Sequence, residues 1–325
     1  MNPDLPSELK AALDKAAQGK SRSEMARRAA TLSQHYRAGG ASAGGVESGE
    51  DALAYALTRM PATYAAATAV LGALIETRPD FSPRTLVDVG AGPGTAAWAA
   101  AQLLPMLERI RLIDDNPHLQ ELAASLLAAS ATRALHDAAY VRGDLTRLAG
   151  DNEPADLVIA SYVAGEISAQ KLPEVADALW SGTRDTLVLI EPGTTAGFSR
   201  IRELRAYLIG CGAHVLAPCP HDRACPIVAP DWCHFSQRLA RSRDHRQVKG
   251  ASLSFEDEKF SYVALARYAP RRIDARVLAH PRVGKGAATA KLCTADGIIS
   301  ATAPRRDRDR YRALKAWRWG DAVTP

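Results

Sequence analysis

Two groups of residues in this chain have the types and the spacing to do chemistry. The first is the run Leu86-Val-Asp88-Val-Gly90-Ala-Gly92-Pro-Gly94-Thr95. Apolar residues alternate into Asp88 and then give way to a glycine at every second position, which predicts a buried strand, a tight turn and a helix starting near Thr95. Gly90, Gly92 and Gly94 can take positive φ and let a ligand lie on the backbone. The helix after them points free N–H groups at whatever sits there. The second group is Cys219, Cys225 and Cys233, spaced Cys-x5-Cys-x7-Cys, with Cys293 much later.

The pattern Asp-x-Gly-x-Gly-x-Gly differs from the dinucleotide fingerprint Gly-x-Gly-x-x-Gly. It resembles motif I of the class I S-adenosylmethionine-dependent methyltransferases. Arg109-Ile-Arg-Leu-Ile-Asp114 agrees with this, being a short strand that ends in an acid 20 residues past Gly94. A carboxylate there can accept both ribose hydroxyls. The resemblance implies cofactor contacts by Asp88, Gly90, Gly92, Gly94 and Asp114. It adds Asp144, in Arg142-Gly-Asp144-Leu, on the adenine side.

The catalytic residues are not legible. The fourth strand, Asp156-Leu-Val-Ile-Ala-Ser-Tyr162, runs into Val163 and then Gly165-Glu166, where amine-methylating enzymes carry Asn/Asp-Pro-Pro-Tyr/Phe. Neither this stretch nor Glu191-Pro-Gly-Thr194 offers the cysteine that carbon-5 methylation of pyrimidines needs. Glu166 or Glu191 could serve as a general base, but the pattern favours helix-start and strand-end carboxylates near the crevice. Tyr55, Arg59 and Tyr64 could line its approach, although the periodicity of the tyrosines favours packing.

The cysteines lie in a Pro-rich stretch, Ala217-Pro-Cys-Pro-His221 through Cys225-Pro to Asp231-Trp-Cys-His-Phe235. Irregular backbone of this kind suits metal ligation. Zinc prefers ligand pairs two to four residues apart and would accept His221 or His234, whereas wider cysteine-only spacing suits an iron–sulfur cluster. Residue counting leaves the two open. The run from Glu191-Pro-Gly-Thr through the cysteines to Phe255-Glu-Asp-Glu-Lys-Phe-Ser-Tyr262 is similar to the methyltransferase-like assembly factors of the mitochondrial ribosome's small subunit and their bacterial relatives. The Tyr64 region, the glycine loop and Arg318-Trp-Gly-Asp321 fit the same family. That resemblance implies a structural [4Fe–4S] cluster held by Cys219, Cys225, Cys233 and Cys293, with Cys211 a packed thiol.

The elements that must position these groups follow from length and pattern. A chain of 325 residues, 47% apolar, can bury a large core. No apolar run reaches the roughly 20 residues of a membrane span. Met1-Asn-Pro-Asp-Leu-Pro6 has no signal-peptide apolar region. The expectation is therefore a cytoplasmic monomer with reduced cysteines. Residues 5–38 read as a basic helix with Ser7 as its N-cap. Asp51–Thr77 reads as a second helix, interrupted at Met60-Pro61. Beyond Arg84, strands near 85–89, 109–114, 138–142, 155–161 and 185–191 alternate with helices near 95–104, 117–130, 170–181 and 197–210. That alternation predicts a parallel, doubly wound α/β sheet, closed by a strand over Phe260–Tyr268.

The expected organisation is a helical region over 1–80, a Rossmann-like methyltransferase core over 81–268 with a Cys-rich insert at 217–255, and a basic β/helix appendage over 269–325. The formal net charge is +5. Residues 267–325 carry 14 Lys/Arg against 5 Asp/Glu, a net of +9 that leaves −4 for the rest. Residues 236–250 add Arg238, Arg241, Arg243, Arg246 and Lys249. Such asymmetry points to nucleic acid, with a solvated basic tail as the plainer alternative. The family resemblance implies that the nucleic acid is small-subunit ribosomal RNA or its precursor particle. Tyr311, Trp317 and Trp319 either stack on bases or pack on the β unit. Three readings follow: an S-adenosylmethionine-binding, methyltransferase-like protein acting on that RNA; a non-catalytic assembly factor; or a methyltransferase for a protein or small molecule.

Overall fold

The structure, a computed structural model, describes residues 3–37, 44–143, 153–241, 246 and 252–325. Three helices come first: α1 (Ser7–Ala17), α2 (Arg22–Arg37) and α3 (Gly49–Thr77). The single helix expected over 5–38 is broken at Gly19, whose φ of +75° no helix can hold. Ser7 lies inside α1, and Pro6 holds the N-cap position. Ser48 caps α3 through the N–H of Asp51. The interruption expected at Met60-Pro61 does not occur, and α3 runs through Pro61. Burial overrides the missing N–H, for Met60 and Ala62 are sealed in the core on either side of the proline.

From Thr85 the chain alternates as expected. The order is β1 (Thr85–Val89), α4 (Thr95–Leu103), β2 (Arg109–Asp114), α5 (Pro117–Leu127), α6 (Arg133–His136), β3 (Ala139–Arg142), β4 (Ala155–Ser161), α7 (Leu172–Ser181), β5 (Thr183–Pro192), α8 (Thr195–Gly210) and β6 (His214–Ala217). Two further strands, β7 (Phe235–Ala240) and β8 (Phe255–Ala266), complete the sheet in the order β3-β2-β1-β4-β5-β8-β6, with β7 on β8. Strands β1 to β5 are parallel, and β8 is antiparallel to β5, β6 and β7.

Alternate residues feed two cores, one on each face. Leu86, Leu112, Ile159 and Ile190 pack with α3 and α4, while Val87, Ile113, Val158 and Leu189 pack with α7 and α8. Burial on both faces is why the strands read as continuous apolar runs rather than alternating ones. Every parallel strand therefore ends at one crevice, on the side of the glycine loop.

A second sheet occupies the C-terminal residues. Strands β9 (Ala275–Val277), β10 (Arg282–Val283), β11 (Ala287–Thr294), β12 (Gly297–Pro304) and β13 (Ala322–Val323) pair in the order β10-β11-β9-β13, with β12 on β11. Helix α9 (Arg308–Ala316) covers it through Leu314, with Tyr311 and Trp317 packed beside it. Trp319 instead packs into the core of the large sheet and ties the two together. Among the described residues no helix is long and apolar enough to cross a membrane.

Candidate functional site

Asp88 ends in the middle of the large sheet with no exposed surface. Its Oδ2 accepts the N–H of Ala97 at 3.0 Å, in the first turn of α4, and Oδ1 has no partner among the described residues. Burial pushes its pKa up to about 7, with the charge of Asp114 adding to the shift. Gly90, Gly92 and Gly94 all have positive φ, at +65°, +52° and +82°. At Gly90 space is also short, since a Cβ there would come within 2.6 Å of Val163 Cγ2. Gly94 is the N-cap of α4.

Asp114 stands at the end of β2, beside the loop. Its Oδ2 accepts the N–H of Gly92 at 2.8 Å and its Oδ1 that of Asn116 at 3.0 Å. Burial pushes this carboxyl up, against those two hydrogen bonds. Each oxygen keeps a lone pair, so a diol can still be accepted. Tyr140 on β3 donates to Gly92 O at 2.9 Å and fixes the loop from the third strand. The structure thus brings Asp88, Gly90, Gly92, Gly94 and Asp114 together. Asp144 lies outside the described residues.

The crevice is roofed by the first helices. Asn116 caps α5 and donates from Nδ2 to Val46 O at 2.9 Å. Tyr36 and Tyr55 lie 6.0 Å apart, and the Arg59 guanidinium sits 5.9 Å over the Tyr36 ring. Burial raises the Tyr36 phenol, with Tyr55, Glu166 and Asp114 acting in the same direction. Tyr55 and Arg59 therefore do line the approach. Tyr64 does not, being sealed in the core.

The opposite lip is pinned from two sides. Tyr162 has φ +60°, the one positive value at a non-glycine among the described residues, and its OH donates to Glu258 at 2.9 Å. Val163 packs on Gly90. Glu191, 1% exposed at the end of β5, accepts the N–H of Ala164 at 3.0 Å and pairs with Arg200 at 2.8 Å. Burial raises the Glu191 carboxyl and Arg200 opposes the shift. This lip is held by structural bonds, and no nucleophile stands out on it.

The cysteines meet at the junction of the two sheets. Cys219 follows β6, Cys233 precedes β7, and Cys225 lies on the loop between them. Cys293 is buried on β11. Their thiols share one electrostatic neighbourhood: Cys233 feels the other three, and Cys293 feels Cys219 and Cys225. Burial, reinforced by that mutual repulsion, raises the thiols of Cys219 and Cys233 and pushes Cys293 up to about 12. Among the described residues no three His, Cys, Asp or Glu side chains converge as a single bound ion requires. Cys211 is exposed at the end of α8 rather than packed, because the buried face of that helix ends at Leu208.

Sequence reasoning missed Arg205 and Arg276, which are 4% and 1% exposed beside the cysteines. Helical spacing could have flagged Arg205, which shares the buried face of α8 with Ile201 and Leu208. Of the basic run 236–250, Arg238 pairs with Asp257 and Arg241 with Glu256. Arg243 and Lys249 lie outside the described residues. Tyr311 and Trp317 pack against the small sheet.

Comparison with known proteins places this geometry in a lineage. The chain is 30% identical over 294 residues to a human protein named "Ribosome assembly protein METTL17, mitochondrial", covering 83% of this chain and 62% of that one. It is equally identical over 252 residues to the fission yeast "Rsm22-cox11 tandem protein 2, mitochondrial", covering 66% of this chain and 32% of that one. The chain thus spans less than two thirds of the length of either relative. A looser likeness is to magnesium protoporphyrin IX methyltransferase from Synechocystis, at TM-score 0.41 and 12% identity over 64% of this chain and 80% of that one. The cytoplasmic location expected from the sequence is overturned, since these relatives are named as mitochondrial proteins. The family model described as "Mitochondrial small ribosomal subunit Rsm22" matches residues 49–324, and the chain belongs to that family.

Proposed function

We propose that this protein binds S-adenosylmethionine at the Asp88–Gly94 loop and takes part in assembly of the small ribosomal subunit, contacting its RNA through the basic C-terminal residues 269–325. The observation that carries the cofactor reading is the loop itself. Three glycines in the left-handed region lie between a buried acid on β1 and a second acid, Asp114, whose oxygens can still accept a ribose diol. Asp144 would complete the adenine side. The ribosomal reading is supported by family membership and by the assembly role in the name of the human relative. The net charge of residues 267–325 supplies the electrostatics.

The cysteine site fits a metal centre, and a [4Fe–4S] cluster better than zinc. Three cysteines on the stretch between β6 and β7 and a fourth on β11 are the donor set that either would use. A single zinc, at about 2.3 Å from each sulfur, needs the sulfurs within about 4 Å of one another. A cubane cluster keeps its thiolates wider apart, and the wide Cys-x5-Cys-x7-Cys spacing without a histidine among the proposed ligands suits it. Cys219, Cys225, Cys233 and Cys293 would be the ligands. When bound, the cluster cross-links the loop after β6 to β11, a structural role.

Methyl transfer is the favoured activity, and a second reading has a specific observation behind it. Tyr162–Glu258 and Glu191–Arg200 occupy the lip from which an acceptor would approach. A non-catalytic assembly factor would tolerate such pinning. Incubating the protein with radiolabelled S-adenosylmethionine and small-subunit particles separates the two. Label in the RNA is expected for the enzyme; calorimetric cofactor binding without label supports the assembly factor. Absence of cofactor binding sinks both.

A further inference from the structure

We propose that Arg205 and Arg276 are the built-in counter-ions of the centre held by Cys219, Cys225, Cys233 and Cys293. This rests on the cysteine-ligand reading above. Both residues are almost wholly buried, at 4% and 1% exposure. Guanidinium keeps its charge in proteins, so each is a buried cation that must be compensated. Neither is paired with a carboxylate among the described residues. What they have instead are carbonyls and, for Arg205, the thiol of Cys219. Arg205 Nη2 donates to His221 O at 2.7 Å; Arg276 Nε donates to Pro218 O at 2.9 Å and Nη1 to Gly320 O at 2.7 Å. Carbonyls satisfy donors and leave the charge standing.

The unsatisfied remainder is next to the cysteines. Arg205 Nε and Arg276 Nη2 are buried without a partner among the described residues. Arg276 lies directly opposite Cys293 in the β9–β11 register. Its carbonyl partner Pro218 immediately precedes Cys219, and the carbonyl partner of Arg205, His221, follows Cys219 by two residues. The two cations come from different parts of the fold, Arg205 from α8 beside the large sheet and Arg276 from β9 of the small one.

The charge arithmetic then selects what can sit there. Four protonated thiols are neutral and compensate nothing, and neither would two disulfides. Four thiolates around an oxidised cubane cluster leave it dianionic, and the same holds for zinc. Two buried guanidinium groups neutralise a dianion. The pair thus acts as a second shell that favours the loaded site and penalises the metal-free one.

The test uses the full chain, isolated anaerobically, in native form and as Arg205→Met, Arg276→Met, Arg205→Lys and Arg276→Lys. Iron, acid-labile sulfide and zinc are assayed, followed by the rate of metal release to a chelator, the midpoint potential and the melting temperature with and without metal. Each methionine variant should lower the midpoint potential and speed release by about tenfold or more. The lysine variants, which keep the charge and lose the fork, should stay near the native potential. The decisive sign is in the metal-free proteins, where methionine should melt no lower than native because a buried uncompensated cation has gone. An unmoved potential and release rate, or equal melting losses with and without metal, would overturn the proposal and leave the arginines as carbonyl ties. A native chain holding zinc would remove the cluster but not the counter-ions, which are then read from zinc release. A native chain holding neither metal would remove the ligand reading and this proposal with it.

Discussion

The two candidate sites carry opposite electrostatic imbalances. At the crevice, buried carboxylates outnumber cations. Asp88 has no exposed surface and an unpartnered oxygen, and Asp114 leans on backbone N–H groups. At the junction of the sheets, buried guanidinium groups lie beside thiols that burial keeps protonated. Each site is poorly compensated alone, and in opposite senses. A buried group lacking a counter-charge is costly, so the sign of the imbalance indicates the sign of the missing partner. The crevice suits a ligand with positive charge and hydroxyl donors, as S-adenosylmethionine has. The junction suits an anionic centre.

The largest effect that could break this contrast is loss of a ligand at the junction. Cys293→Ser should cut iron and sulfide to less than about a tenth of native, remove visible absorption near 400 nm and lower the melting temperature well beyond an ordinary core change. Cys293 is the informative choice because it alone comes from the small sheet. Four irons per chain in that variant would exclude it as a ligand and uncouple the two sheets.

Next in size is Gly90→Ala, which attacks the crevice alone. The substitution meets Val163 at 2.6 Å and forces a side chain to φ +65°. Together these should cost roughly 3 kcal/mol and weaken cofactor binding beyond detection by calorimetry. Adding Val163→Gly, which also removes the Val163 Cβ that stands 2.8 Å from the new methyl, should return the steric part and leave about 1–2 kcal/mol of backbone strain at position 90. Iron content should not change in either variant, and a fall would show that the two sites are not independent.

The crevice was more legible in the sequence than the junction, for a physical reason. A strand, a glycine turn and an acid on the next strand are local, and their chemistry depends on backbone conformation that residue types dictate. That Asp88, Gly90, Gly92, Gly94 and Asp114 lie together could therefore be read from their order along the chain and the motif they resemble. The parallel pairing of β1 to β5 followed equally well, because those strands alternate with helices and carry apolar residues for both faces of the sheet. The junction depends on partners far apart in sequence. Arg276 meets Cys293 only through strand pairing, and although the spacing of Ile201, Leu204 and Leu208 marks the buried face that Arg205 shares, nothing in the sequence shows that the cysteines lie beside it. The passage of α3 through Pro61 was illegible because propensity speaks for the isolated helix and not for a helix sealed on either side of the proline. Cys211 was misjudged in the same way, one turn beyond the buried face of α8.

The pH dependence sharpens the comparison at moderate size. Asp88 is held at about 7 against about 4 in the unfolded chain, so between those values the folded state binds the extra proton. Stability of the cofactor-free protein should therefore fall as pH rises from about 4 through about 7, and Asp114 and Glu191, also raised, act in the same sense. Asp88→Asn should flatten that fall in a series of denaturant melts. Cofactor affinity should show the reverse trend, rising about tenfold between pH 6 and 8 as the carboxylate ionises to meet a cationic ligand. Metal loading should also rise with pH, because thiols must lose protons to ligate. A melt series that improves with pH across this window would mean that Asp88 is not the buried, protonatable group described.

The smallest effects belong to the surface, where solvent screens every charge. Arg306, Arg308 and Arg310 are exposed at and before the start of α9, while Tyr311 and Trp317 pack inward on the small sheet. Replacing the three arginines by glutamine should weaken RNA binding several-fold at low salt. It should also reduce the slope of log affinity against log salt by about 2, that is, by about 0.7 for each phosphate contact on single strands. Trp317→Ala should instead lower stability by about 2 kcal/mol, as loss of a half-buried aromatic does, and leave the salt slope unchanged. Were Trp317 to stack on a base, its removal would lower affinity at every salt concentration while the melting temperature held. That pair of measurements decides whether the aromatic residues of the C-terminal helix serve its packing or its partner.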